Sequence, residues 1–419
     1  MKVARWKVLG VAGALVLGYA VTTQAAQIKV DEDTFADFGY NMKIMYQKFD
    51  ERGKGDLDDW KKNVFDIKDS RFYISGQVSK MVQFYGEWST TGATGGVEGY
   101  AEKNEVKARE AGVNFVFMPE LQVRAGLVRV PFTRYQMTSS YSLIIPTDAW
   151  YDKGGVNATG VVGKNISNNP LKLIGRTDGG LVVHGDIANG MFRYNIGVFN
   201  EDQRKGEAYK GLQWVARVEF TPTMLGFAPE STTSPHGKVS DTYLGKKDVL
   251  TIGLGYYKEK LYDKEDTIYN ESLEADGWTA DLFFEKKFGC WVPNLQLGYI
   301  KLNDSHFYNE TTLKKGDTSI WYAQGQLLYD AVVGFGKPAL AIRYENVEAD
   351  GVYKSGTEVK KDFAFDRWGV AFNYYLKGQA ARVSLGFDKV EYDDAAKAYY
   401  TNKKEDSITD YYLYIQTMF

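Results

Sequence analysis

The chain has 419 residues, 51 of them Lys or Arg and 54 Asp or Glu, with 43 glycines, 15% aromatics and one cysteine. One cysteine excludes an intramolecular disulfide framework and a Cys-based zinc site. After the first 25 residues no apolar run approaches the roughly 18 residues of a spanning helix, which excludes a helical membrane protein but not a membrane barrel.

The N-terminus reads as a secretory signal. Lys2, Arg5 and Lys7 form a positive region, residues 8–21 are apolar and uncharged, and small residues follow. Cleavage is expected after Ala25 or Ala26, against the alternative of an uncleaved anchor helix. Removing that segment takes the formal charge from −3 to −6. A mildly acidic exported chain gives no support to a nucleic-acid partner, which wants clustered basic surface.

Residues 26–37 are expected to be a periplasmic N-terminal segment, and residues 38–419 a transmembrane antiparallel β-barrel. Alternating stretches of about ten residues fall at 38–49, 70–89, 106–117, 121–130, 171–187, 191–199, 210–220, 248–258, 275–288, 294–303, 317–330, 337–347, 363–376, 380–392 and 407–419. In each, one face is apolar and the other polar, the period of a strand. Phe192, Tyr194, Ile196 and Val198, for example, face away from Arg193, Asn195 and Gly197. An even strand number is required, and the long run 70–89 splits at a tight turn within 77–80 to give sixteen. Connections such as Met118-Pro119-Glu120 and Ala188-Asn189-Gly190 are tight, whereas 50–69, 89–105, 131–170 and 304–316 are long and polar. Short turns at one end and long loops at the other are the asymmetry of outer-membrane barrels. Residues 221–247, with three prolines, fall where a short turn belongs, and nothing in the sequence accounts for their length.

Several stretches resemble the phosphate-selective porin O and P family. Gly126-Leu-Val-Arg-Val-Pro131-Phe132-Thr133 resembles the family's strand that ends before its long third loop, and Gly190-Met-Phe-Arg-Tyr-Asn-Ile-Gly-Val-Phe-Asn200 resembles another of its strands. Ile342-Arg343-Tyr344-Glu345 and Asn373-Tyr-Tyr-Leu-Lys-Gly378 are similar to its late strands, and the terminal Phe419 to the assembly signal of outer-membrane barrels generally. The resemblance implies a trimer of sixteen-stranded barrels with a basic pathway, in the outer membrane of a Gram-negative bacterium, in contact with lipid and lipopolysaccharide. It carries over no phosphate-contacting residue.

Alternation places eight of the fourteen arginines on the polar face: Arg71, Arg124, Arg176, Arg193, Arg217, Arg343, Arg367 and Arg382. Guanidinium is permanently charged and forks onto phosphate or carboxylate oxygens, so a lumenal band of it attracts anions. The opposing reading is that these arginines brace the wall against lumenal acids such as Glu87, Glu110, Glu219, Asp281, Glu345 and Asp388. The long connection 131–170 carries an apolar Leu143-Ile144-Ile145 and is expected to fold inward and narrow the pore, which makes Arg134, Asp148, Asp152, Lys153 and Lys164 constriction candidates. His184, His236 and His306 share no motif, and neither an enzyme nor a cofactor or metal is expected. The expected function is passive diffusion of small hydrophilic solutes with a modest preference for anions such as phosphate. The alternative is a plugged barrel acting as a surface scaffold.

Overall fold

The computed structural model describes residues 26–48, 63–90, 106–147, 176–200, 212–230, 235–261, 273–309, 313–350, 353–354, 357–358, 363–400 and 406–419. A short strand β1 (Ala26–Lys29) folds back on the start of β2 (Phe35–Lys48). There follow β3 (Asn63–Ser79), β4 (Val82–Thr90), β5 (Val106–Met118), β6 (Leu121–Arg129), β7 (Thr177–Ile187), β8 (Phe192–Asn200) and β9 (Leu212–Phe220). The second half contains β10 (Val249–Leu261), β11 (Leu273–Glu285), β12 (Trp291–Asn309), β13 (Leu313–Tyr329) and β14 (Lys337–Ala349). A two-residue hairpin, β15 (Tyr353–Lys354) with β16 (Thr357–Glu358), precedes β17 (Phe363–Tyr375), β18 (Ala381–Tyr392) and β19 (Ser407–Met418).

Apart from β1 and that hairpin, sixteen strands pair antiparallel with their sequence neighbours, and β19 returns to pair with β2. The chain is therefore a closed barrel without a free edge. The closing seam ends on two backbone bonds: the Tyr40 N–H donates to the Phe419 carbonyl at 3.0 Å, and the Phe419 N–H donates to the Tyr40 carbonyl at 2.9 Å.

Burial follows the sequence alternation with a period of two. On β8, Arg193, Asn195 and Gly197 are buried, while Phe192 and Ile196 are exposed on the outside. On β19, Tyr412, Tyr414 and Gln416 point inward, and Tyr411, Leu413 and Ile415 outward. An apolar exterior is stable only against lipid. Aromatic rings form an outer row on adjacent strands near the loop end. Trp278 lies 5.2 Å from Tyr299, and Tyr344 sits between Trp321 and Trp368 at 4.6 and 4.4 Å. Trp291–Tyr329 and Phe192–Phe220 contacts lie at the other end. Such paired girdles suit the two membrane interfaces, where an amphipathic ring meets both lipid and water.

Several boundaries differ from the sequence expectation. Residues 63–69, expected in the loop 50–69, instead begin β3, where they pair with Lys43 to Lys48 of β2. The first barrel strand starts at Phe35 rather than at 38, because residues 35–38 find partners on both β1 and β3. The run 70–89 does split, but the turn is Lys80–Met81, one step beyond the expected window. Residues expected in the loop 304–316 mostly extend the β12–β13 hairpin, across a register shift between Leu302 and His306, with Asp304 at φ 52°. A helix, α2 (Asp394–Tyr400), occupies part of the expected loop 393–406. The inner face is also less uniformly polar than alternation alone suggests. Toward the loop end it turns apolar, with Phe199, Val215, Tyr257, Ile300, Val347 and Phe365 in one buried cluster.

Candidate functional site

The lumen is crossed by two segments that enter from opposite ends. The first follows β6. Pro131 cannot continue the ladder, and Thr133 caps a single helical turn, α1 (Arg134–Met137). The Thr133 side chain accepts the Gln136 N–H at 3.1 Å, and the Gln136 side chain accepts the Thr133 N–H at 2.9 Å. Residues 139–147 then run along the inner wall. Leu143, Ile144 and Ile145 are buried, the last two against Ala341 of β14 and Ala371 of β17. Residues 131–147 of the connection 131–170 thus lie within the barrel. Asp148, Asp152, Lys153 and Lys164 lie outside the described residues.

Wall side chains donate to the backbone carbonyls of this loop. Arg129 reaches Gln136 and Thr138, Arg217 reaches Phe132, and Arg343 reaches Thr147. Arg382 reaches Leu143, Asn373 reaches Ile144, Gln416 reaches Tyr141 and Lys43 reaches Ser140. Arg176 donates to Tyr135 and Thr138. Loop carbonyls have no ladder partners here, and a buried carbonyl without a donor costs about 1–3 kcal/mol. The wall supplies those donors.

The second segment explains the length of 221–247. After a 3-10 turn (Thr223–Leu225) at the short-turn end, residues 235–248 fold up inside the barrel and meet the first segment. Val239 pairs with Thr138 in a parallel bridge, its N–H donating to the Met137 carbonyl at 3.0 Å and its carbonyl accepting from Ser139 at 2.9 Å. The Asp241 carboxylate accepts from the Ile144 N–H at 2.8 Å and from Gln324. Glu285 of β11 receives the N–H groups of Tyr243 and Gly245 and the Thr242 hydroxyl. Glu230 receives both Arg134 nitrogens and the Tyr243 hydroxyl. Burial alone would raise the Glu230 carboxyl, but the Arg134 guanidinium and the Tyr243 hydroxyl outweigh it and hold it down at about 2. The arrangement therefore presents a carboxylate at neutral pH.

The eight arginines of the polar face divide by partner. Arg71 pairs with Asp69 and Glu87, and Arg193 with Asp186 and Glu219. Arg217 pairs with Glu219 and Asp281, the latter through a fork of 2.7 and 2.8 Å. Arg343 and Arg367 share Glu345 and Asp388. Arg176, half-buried, holds the loop. Arg124 and Arg382 differ: neither pairs with a carboxylate among the described residues. Arg382 lies between the rings of Tyr375 and Tyr414, at 5.7 and 5.2 Å. Arg124 donates to the Pro235 carbonyl at 2.7 Å, and its Nη1 has no hydrogen-bond partner.

Sequence reasoning left out several residues of this site. Arg129 sits one position out of phase with the alternation, at the strand end where the chain turns into the lumen, and pairs with Glu110 at 2.9 Å. Arg134, a constriction candidate, is brought to Glu230, a residue not singled out. Glu87, Glu110 and His236 converge, but Lys238 binds both carboxylates, so an ammonium already occupies the position a cation would take. Burial pushes the His236 imidazole down, helped by Lys238, and His236 contacts Glu110 at 3.2 Å. The signals available were the Thr133-x-x-Gln136 capping pattern and the three prolines of 221–247, which no tight turn accommodates.

No family model matches the chain. An uncharacterized protein of Aquifex aeolicus (strain VF5) is 26% identical over 306 residues, covering 70% of this chain, and the chain spans 64% of that relative's length. Among solved structures, Salmonella typhi OmpF, in complex with daunomycin, is similar over 94% of this chain and all of its own, with a TM-score of 0.59 and 13% identity. Pseudomonas putida OprB gives 0.54 with 11% identity over 92% of this chain and 94% of its own. The outer membrane channel DcaP of Acinetobacter baumannii gives 0.52 with 10% identity over 94% of this chain and 99% of its own. At 10–13% identity the likeness is one of fold, a closed antiparallel barrel, which in this chain has sixteen strands.

Proposed function

We propose that the protein is an outer-membrane porin of a Gram-negative bacterium, a homotrimer whose barrels pass small hydrophilic solutes by passive diffusion, with a modest preference for anions such as phosphate. The carrying observation is Arg124 together with Arg382, two inward guanidinium groups that form no ion pair with a carboxylate among the described residues, in a barrel of a size that holds an aqueous channel. Fixed positive charge beside a low-dielectric wall focuses the field on a passing anion. The fold shared with the DcaP channel and the resemblance to the phosphate-selective family support the same reading. Purified protein in planar bilayers tests it: discrete conductance with a zero-current potential on the anion side in a KCl gradient is expected. Silence under all conditions, or clear cation selection, would refute it.

One observation favours a second reading, a plugged barrel serving as a scaffold. Inward side chains from both halves of the ring, among them Asn114, Arg124, Glu285 and Arg367, are fully buried. Liposome swelling separates the two, since a permanently plugged barrel admits no sugar.

A further inference from the structure

The two lumenal segments are held by different physics. The loop after β6 buries Phe132, Tyr135, Met137, Leu143, Ile144 and Ile145, and apolar burial is strongly stabilising at about 1.5–3 kcal/mol for each large side chain. The segment 235–248 is held mainly by polar contacts. His236, Lys238, Asp241 and Thr242 meet Glu87, Glu110, Gln324 and Glu285, and Val239 is the one large apolar side chain it fully buries. Buried ionic contacts fix a geometry while adding little net stability, because both partners lose hydration. Water at the short-turn end offers the same groups hydration in return.

We infer that residues 235–248 are a displaceable plug that enters the lumen from the short-turn end, and that its withdrawal, with the loop after β6 left in place, opens the conducting path. The inference rests on the channel reading above. Withdrawal has a chemical consequence as well as a steric one. Gly237, at φ 67°, packs against Arg124 so closely that a Cβ there would lie 2.5 Å from the guanidinium Nη2. The docked plug thus covers one of the two arginines without a carboxylate, and leaving uncovers it. Withdrawal also takes Lys238 from Glu87 and Glu110 and the segment's donors from Glu285, so the open state should be wider, with Arg124 and these carboxylates all facing the pore.

Two variants test this in the full-length protein, each checked for folding by heat-modifiable migration. Gly237→Val places a β-branched residue in the left-handed region and against Arg124, which should shift the docked–undocked balance toward undocked about tenfold. Open probability in bilayers should rise, and an unchanged open probability in the folded variant would count against a displaceable plug. The second variant, Thr138→Cys with Val239→Cys in a Cys290→Ser background, joins the two residues of the parallel bridge. Oxidation should suppress conductance several-fold, and reductant should restore it. If the oxidised protein conducts as the reduced protein does while the wild type conducts, the plug is wrong and the channel reading stands. If wild type, Gly237→Val and the reduced double variant are all silent although folded, both are wrong.

Discussion

Arg134 and Glu230 are each about 1% exposed at the side chain, and they join the two lumenal segments through a forked pair. Removing one member strands the other as a buried charge, which typically costs about 3–5 kcal/mol, whereas removing both can be nearly neutral. Arg134→Leu alone should therefore loosen the plug and expose residues 235–248 to protease added at the short-turn face. Arg134→Leu with Glu230→Leu should restore most of the protection. Equal cleavage in the single and double variants would show that the pair contributes no coupling. Selectivity should divide among the arginines in the same residue-by-residue way. Arg124→Ala with Arg382→Ala should move the zero-current potential toward cations. Arg193→Ala, which takes one cationic partner from Asp186 and one from Glu219, should move it further when added to the double variant. No shift in the double variant would mean that these arginines act only on the loop and the plug.

Among the elements, β19 has an assignable role at each end of its register. Tyr411 lies opposite Lys48 and Met418 opposite Asn41, and Phe419 adds the last two backbone bonds of the seam. Deleting Phe419 should lower the yield of folded barrel in the outer membrane, read as the heat-modifiable fraction on gels, and unchanged yield would remove it as an assembly signal. The strands were legible because a period-two pattern is local: β8, β9, β17 and β19 have the faces that their residues alone imply. What was not legible depends on partners distant in sequence. Nothing near Arg217 announces that its nitrogens serve Asp281 of β11 and the Phe132 carbonyl of the loop. Likewise, residues 235–247 carry no periodicity, because apart from the one bridge at Val239 their partners are scattered side chains of the wall and the loop rather than a ladder. The capping pattern at Thr133 was present but too short to read as a helix by periodicity.

For the whole molecule, the inversion of burial makes a direct prediction. Large apolar groups such as Trp214, Leu254, Leu340 and Leu385 are exposed on the outer wall, while Arg343, Glu345 and Asn373 are buried. Extraction should therefore require detergent, with a strand-dominated circular dichroism spectrum and slower migration after boiling. Recovery as a soluble periplasmic monomer would be incompatible with this surface.

The seam between β2 and β19 has a further consequence for how the molecule forms. Every other barrel pairing joins strands adjacent in sequence, so each can zip from a hairpin. The seam alone spans nearly the whole described chain, from Asn41 paired with Met418 to Lys48 paired with Tyr411. The entropy of closing a loop grows only slowly with its length, but it falls here on a single contact that no neighbour can share. Ring closure should thus be the last and slowest event, preceded by an open, curled sheet with two sticky margins. Until that step both margins would be able to accept a foreign strand, so the same edges that complete the cylinder are also the place where assembly can be intercepted.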